Sequence, residues 1–250
     1  MLQPIGCKPL YEVKDIMRHT RLRNESADYL AQREALRLAE IDLMRQNERV
    51  AELRRQLPEG AAVDDYTFVE GPRDLDAGDG PIQSVRLSQL FSTPGRALVV
   101  YHLMFGKLQT SPCPMCTMWI DGINGVVQHL ERNVDFVVAA AAEPAALRAH
   151  ARTRGWRNVR LLSCGDSSFK YDLNSEDEAG NQDSTVSVFT RDERGVIRHR
   201  YSAHPRMSEE IGERGIDLLS PVWHMLDLTP YGRDDWYPEL AYPSQAVATR

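Results

Sequence analysis

The chain has 250 residues, a formal net charge of −6, and 42% apolar and 26% charged side chains. These proportions suit a globular chain with a sizeable core, and the acidic balance gives no electrostatic reason to expect nucleic acid or an anionic membrane as partner. Four cysteines exclude a disulfide scaffold, and no apolar run nears the roughly 18 residues of a membrane span.

The start, MLQPIGCKPLYEVKD, lacks a basic segment followed by an apolar one, so no signal peptide is read and a cytoplasmic protein with mostly free thiols is expected. From Ser26 to Leu57 neither Gly nor Pro occurs, and Pro58 with Gly60 stops the run, which predicts one long helix. Tyr29, Leu36, Leu43, Val50 and Leu57 recur every seven residues, but Gln32, Ala39, Gln46 and Leu53 occupy the companion positions. That is half a heptad seam, fitting either a helix lying on its own domain or an arm of a homodimer. DYTFVEGP reads as a short strand. Asp74, Asp76 and Asp79 lie in the turn-rich stretch after it; no Glu closes a calcium loop, so a solvated hairpin loop is expected.

Ala97–Phe105 (ALVVYHLMF) is the near-continuous apolar run of a strand buried on both faces. A helix to about Arg132 follows, then strand VDFVVAAA, helix EPAALRAHARTRGW and strand VRLLS. NSEDEAGNQDS reads as an exposed loop, and TVSVFTRDERGVIRHRYS as a hairpin turning at Asp192–Gly195. A last helix is expected over Ser208–Leu226, with an aromatic tail after it. Strands alternating with helices, then a hairpin, indicate an α/β fold with a mixed sheet.

Cys113 and Cys116 form a CPMC motif between the buried strand and its helix. Pro114 suits the first helical position, which puts Cys113 at the N-cap, where free backbone N–H groups and the helix dipole favour a thiolate. Cys116, Ile120, Ile123, Val127 and Leu130 step by four and three residues, forming one stripe toward the sheet. An exposed activated thiol one turn from a buried one is the arrangement of a thiol–disulfide exchanger, Cys113 attacking and Cys116 resolving. Structural zinc would need a second such pair, which is missing. Two inert thiols are the remaining alternative. Trp119, a turn beyond Cys116, could cover the dithiol or simply pack. Cys164, after a short strand, is either a second resolving thiol or a buried inert one, and Cys7 receives no role. Trp223 and His224 read as packing, and Asp227, Thr229, Arg233 and Asp234 as a helix-end network.

The order of elements around SPCPMC resembles the thioredoxin superfamily, its peroxiredoxin-like branch in particular. It is more similar still to a thioredoxin-like bacterial family named domain of unknown function eight hundred and ninety-nine. The segments that carry the likeness are AELRRQLP, YTFVEGP, VYHLMFG, CPMCTMWIDGINGVVQHL, RGW, SVFTRDERG and HMLDLTPYGRD, spread over roughly residues 26–235. The resemblance implies a thioredoxin-like, peroxiredoxin-like mixed sheet flanked by helices, with a helical extension over 1–60, the main domain over 61–235 and a tail over 236–250. It also implies a dithiol–disulfide oxidoreductase without a bound cofactor or metal. Its substrate would be a protein or small-molecule disulfide or a peroxide, and its reductant is not named by the sequence. A thiol peroxidase and a non-catalytic binding or assembly module are the alternatives.

The sequence departs from these families in places. Ser184–Thr185 stand where thioredoxins have a cis-proline. No carboxylate lies in the strand before the motif, where His102 is the one side chain titrating near neutrality; it reads either as a proton acceptor for Cys116 or as a core histidine with one satisfied hydrogen bond. Thr110 fits the Thr or Ser that peroxiredoxins place three residues before their reactive cysteine, but Gly106 replaces their proline, and no arginine counterpart is evident near Thr185.

Overall fold

The computed structural model describes residues 22–210, 212 and 214–242. Cys7 and the end of the tail lie outside them. The chain separates into two units, Met1–Gln56 and Leu57–Arg250.

In the first unit, helix α1 spans Ala27–Arg55, capped by the Ser26 side chain, which accepts from the Tyr29 N–H at 3.1 Å. Its surface carries i,i+3 pairs Arg37–Glu34, Arg45–Asp42 and Arg55–Glu52, each contributing a few tenths of a kcal/mol at such exposure. None of its residues is buried.

The second unit is a seven-stranded sheet in the order β2-β1-β5-β4-β3-β6-β7. The strands are β1 (Thr67–Glu70), β2 (Gln83–Arg86), β3 (Leu98–His102), β4 (Asp135–Ala140), β5 (Arg160–Ser163), β6 (Thr185–Arg191) and β7 (Ile197–Ala203). β3, β4 and β5 are parallel, joined by α2 (Pro114–Leu130) and α3 (Pro144–Arg154), while β6 and β7 continue antiparallel on the other side of β3. The mixed α/β architecture expected from the sequence, a sheet flanked by helices, is present.

β3 is the axis of the sheet, and its residues alternate between two cores. Tyr101 and Leu103 face the α2–α3 layer with Cys116, Trp119, Ile120, Val127, Leu147 and Trp156. Leu98 and Val100 face the opposite layer, with Phe68, Phe91, Phe169 and Phe189. The α2 stripe packs as its spacing predicts up to Val127, but Leu130 in the last turn is exposed.

The region after β7 differs from expectation. Instead of one helix over Ser208–Leu226, a 3₁₀ turn at Asp217–Leu219 precedes a short helix α5 (Pro221–Asp227). Gly212 adopts φ +57°, and a Cβ at Gly215 would lie 2.1 Å from the His204 carbonyl oxygen, so the chain folds back where a helix would run straight. Pro221 then takes a first-turn position with Ser220 as cap. The 174–184 stretch is not a free loop either. Ser175 and Ser184 are buried, and Glu176 bridges Gln182, ahead of which the unexpected helix α4 (Phe169–Asp172) sits over the sheet.

The acidic loop between β1 and β2 connects an antiparallel pair, as a hairpin loop should. Asp79 pairs with Arg148 and Arg152, and Asp76 with Arg157, so α3 and the residues after it hold its carboxylates.

Ile120 is fully buried between α2 and the sheet. Ile120→Ala removes that packing and is expected to destabilise the domain by about 3 kcal/mol, seen as a lower urea midpoint at unchanged m value.

Candidate functional site

The site lies where β3 passes into α2. Cys113 is the N-cap, in extended conformation, with Pro114 at the first helical position. The Cys113 N–H donates to the Met104 carbonyl at 3.0 Å, and the Cys113 carbonyl accepts from the Thr117 N–H at 3.0 Å and from the Thr117 hydroxyl at 3.0 Å. One turn on, Cys116 is fully buried under the helix. Both are free thiols.

Their environments divide them. The Cys116 thiol and the backbone N–H groups of Cys116 and Met115 donate to Cys113, and the Tyr237 hydroxyl adds a further hydrogen bond. Together they outweigh partial burial and hold Cys113 down at about 6. Burial, then the hydrogen bond and charge of Cys113, push Cys116 well above the ordinary thiol range. At neutral pH the outer sulfur is the thiolate and the inner one its donor.

A cleft of about 90 Å³ opens onto this pair, lined by Cys113, Cys116, Trp119, Ser184, Arg206 and Tyr237 among others. That is room for a few water-sized groups. Asp183 and Arg206 form an ion pair at its rim, 2.9 Å apart. Trp119 is buried edge-to-face against Tyr101, ring centres 6.2 Å apart. Ser184 lines the cleft just before β6, whereas Thr185 is buried beside it and bonds His204 Nδ1 at 3.1 Å. Thr110 is an exposed residue of the preceding loop and does not line the cleft.

His102 is the core histidine of the two readings, with one satisfied hydrogen bond, and does not serve Cys116. It points to the opposite face of the sheet, stacked on Phe169 at 5.0 Å, with Nδ1 2.7 Å from the Ser175 hydroxyl. Neighbouring strand residues face opposite ways, so the side chain that meets Cys116 is Tyr101. Cys164 likewise lies at the same end of the sheet as the dithiol but in the other core. Its thiol donates to the Ala140 carbonyl at 3.3 Å and burial pushes it up to about 12, which makes it inert.

Three contributors escaped sequence reasoning. Tyr101 reads as one more apolar strand residue in ALVVYHLMF. Tyr237 belongs to the tail, brought to the cleft because Trp236 packs on Trp223 at 5.5 Å and Arg233 bridges Asp217 and Asp227. Lys170 of α4 is 1% exposed, donates to the Leu103 carbonyl at 2.9 Å, and is driven down by burial. The charges it senses first are the thiols Cys164 and Cys116. The aromatic content of DDWYPELAYP was the one signal that the tail packs. Among the described residues no group of three or more His, Cys, Asp or Glu is arranged to hold a metal ion.

The thiolate form of Cys113 is populated above its lowered value, so its alkylation by iodoacetamide should rise with pH around about 6 and level off by neutrality. Cys116→Ala removes the principal donor to the thiolate and should move that midpoint upward, read from alkylation rates across pH.

No curated protein matches the chain. Among solved structures, Prx3 from Vibrio vulnificus, reduced and in complex with hydrogen peroxide, is similar at 16% identity and TM-score 0.44, covering 66% of this chain and 100% of that one. Mycobacterium tuberculosis AhpC is similar at 15% identity and TM-score 0.44, covering 65% and 89%. A Plasmodium vivax 2-Cys peroxiredoxin gives 16% identity and TM-score 0.43, covering 64% and 78%. The sequence profile described as "Bacterial protein of unknown function (DUF899)" matches residues 18–246, nearly the whole length, and the chain belongs to that family.

Proposed function

We propose that the protein is a thiol–disulfide oxidoreductase. The observation that carries this reading is the division between the two sulfurs: Cys113 acidified at a helix N-terminus and open to a cleft, Cys116 buried one turn below it. The Cys113 thiolate attacks one sulfur of a substrate disulfide, and the other sulfur leaves as a thiolate. Cys116 then loses its proton and attacks Cys113 Sγ, releasing the reduced substrate and leaving a Cys113–Cys116 disulfide. An external dithiol returns the pair to the reduced state.

The small cleft admits a disulfide at the end of a short side chain or presented by a protein loop. Its rim carries one charge of each sign, Asp183 and Arg206, so it sets no strong charge preference. A hydroperoxide is the second substrate class, favoured by the cleft volume of about 90 Å³. The exposed position of Thr110 weighs against it, since that hydroxyl does not meet the thiolate. No helix among the described residues is long and apolar enough to cross a membrane.

Cys113→Ser should abolish reduction of a disulfide substrate. Cys116→Ser should instead accumulate a mixed disulfide on Cys113, visible by mass as the added half-substrate. If neither variant changes turnover with insulin or a glutathione-capped peptide, the exchange reading fails. Faster reaction of Cys113 with micromolar hydrogen peroxide than with any disulfide, leaving a sulfenic acid, would establish the peroxide reading in its place.

A further inference from the structure

In the exchange cycle, the second step needs Cys116 as a thiolate, and its surroundings oppose that. The sulfur is fully buried, beneath α2 and against β3. β3 contains no carboxylate that could take its proton. What faces Cys116 from β3 is the Tyr101 side chain, itself 0% exposed.

The Tyr101 hydroxyl is completely shielded from water and has no hydrogen bond of ordinary geometry in the reduced protein, the side chain nearest to offering one being the Cys116 thiol. A buried hydroxyl without a partner carries a desolvation cost that the fold would ordinarily avoid. The edge-to-face contact with Trp119 fixes the ring, so the hydroxyl stays aimed at the same place. A neutral thiol accepts hydrogen bonds poorly, whereas a thiolate accepts them well. The contact is therefore weak in the resting state and strong in the transient one.

Resting on the exchange reading above, we propose that the Tyr101 hydroxyl is the donor that stabilises the Cys116 thiolate during resolution of the mixed disulfide. Tyr101 keeps its own proton throughout; burial and the nearby sulfurs push its ionisation well above the ordinary tyrosine value. The proton lost by Cys116 leaves to water in the cleft. The Cys116 sulfur forms its new bond to Cys113 Sγ, and the bond from Cys113 to the substrate sulfur breaks, that sulfur taking the electron pair. The other groups that bear on the charge of Cys116 are the Met104 backbone N–H, Cys113 at the helix start and Lys170 from α4. The Met104 N–H is a backbone donor already directed at this sulfur, and Tyr101 is the side-chain donor beside it; Cys113 is sulfur-bonded to the substrate at that moment, and Lys170 donates to the Leu103 carbonyl.

Tyr101→Phe deletes the hydroxyl and keeps the ring, so the fold is preserved. The test uses the full chain with Cys7→Ser and the aromatic disulfide dithiobis-nitrobenzoate as probe. Attack by Cys113 releases a first coloured thionitrobenzoate, and resolution by Cys116 releases a second. In Tyr101→Phe the first release should keep its rate. The second should slow about three- to tenfold, the smaller thiolate fraction being offset in part by the greater nucleophilicity of a more basic sulfur. Its pH midpoint should also move upward, a change that loosened packing would not produce. A second release with unchanged rate and midpoint, or equal slowing of both phases, overturns the role of Tyr101 and leaves the exchange reading standing. Absence of any second release from the Tyr101 protein overturns the exchange reading, and this inference with it.

Discussion

The hydrogen bond from the Cys113 N–H to the Met104 carbonyl, 3.0 Å long, ties the first turn of α2 to the end of β3. The rest of the site follows from that tie. With the N-cap held over the strand end, the free N–H groups of the first turn converge on the Cys113 sulfur, and helical rotation carries Cys116 under the helix. One sulfur becomes acidic and the other basic without any charged side chain between them in the motif. Pro114 and Met115 contribute conformation and a backbone donor rather than charge.

The sheet supplies the second constraint. β3 is buried on both faces, so every residue in it is committed to one of two cores by the strand's alternation. Tyr101 and His102 are neighbours in sequence and lie in different layers of the molecule. Tyr101 shares the dithiol's layer with Trp119, while His102 is occupied by Phe169 and Ser175 on the far side. Cys164 is separated from Cys116 in the same way, and its burial, which outweighs the nearby Lys170, leaves it a packing residue. Lys170, buried on α4, donates to the Leu103 carbonyl just past the end of β3, and burial drives its ammonium toward the neutral form.

The cleft beside the two sulfurs also depends on the end of the chain. The Arg233 bridges to Asp217 and Asp227 and the Trp223–Trp236 contact fold the tail back, which places Tyr237 over Cys113. A tail read from composition alone as an appendage thus belongs to the site. The loop at 174–184 is a similar case: acidic and Gly-containing, yet anchored by buried Ser175 and Ser184, with Ser184 in the wall of the cleft.

What the sequence alone determined is local: the long helix running from Ser26, the doubly buried strand, Pro114 opening α2, the stripe from Cys116 to Val127, and the hairpin turn at Asp192–Gly195. Each rests on periodicity, capping or turn chemistry acting within a few residues, and such signals survive without knowledge of the fold. Which residues meet the two sulfurs was decided only in three dimensions. The one-residue difference between Tyr101 and His102 turns on strand orientation, Tyr237 arrives from more than a hundred residues away, and Lys170 is buried by tertiary packing that its neighbours in sequence do not foretell. The break at Gly215 also needed the structure, because only the approach of the His204 carbonyl makes a side chain there impossible. Motif and helix start were legible because they are made by adjacent residues; the chemical setting of the dithiol was not, because it is made by contacts between distant ones.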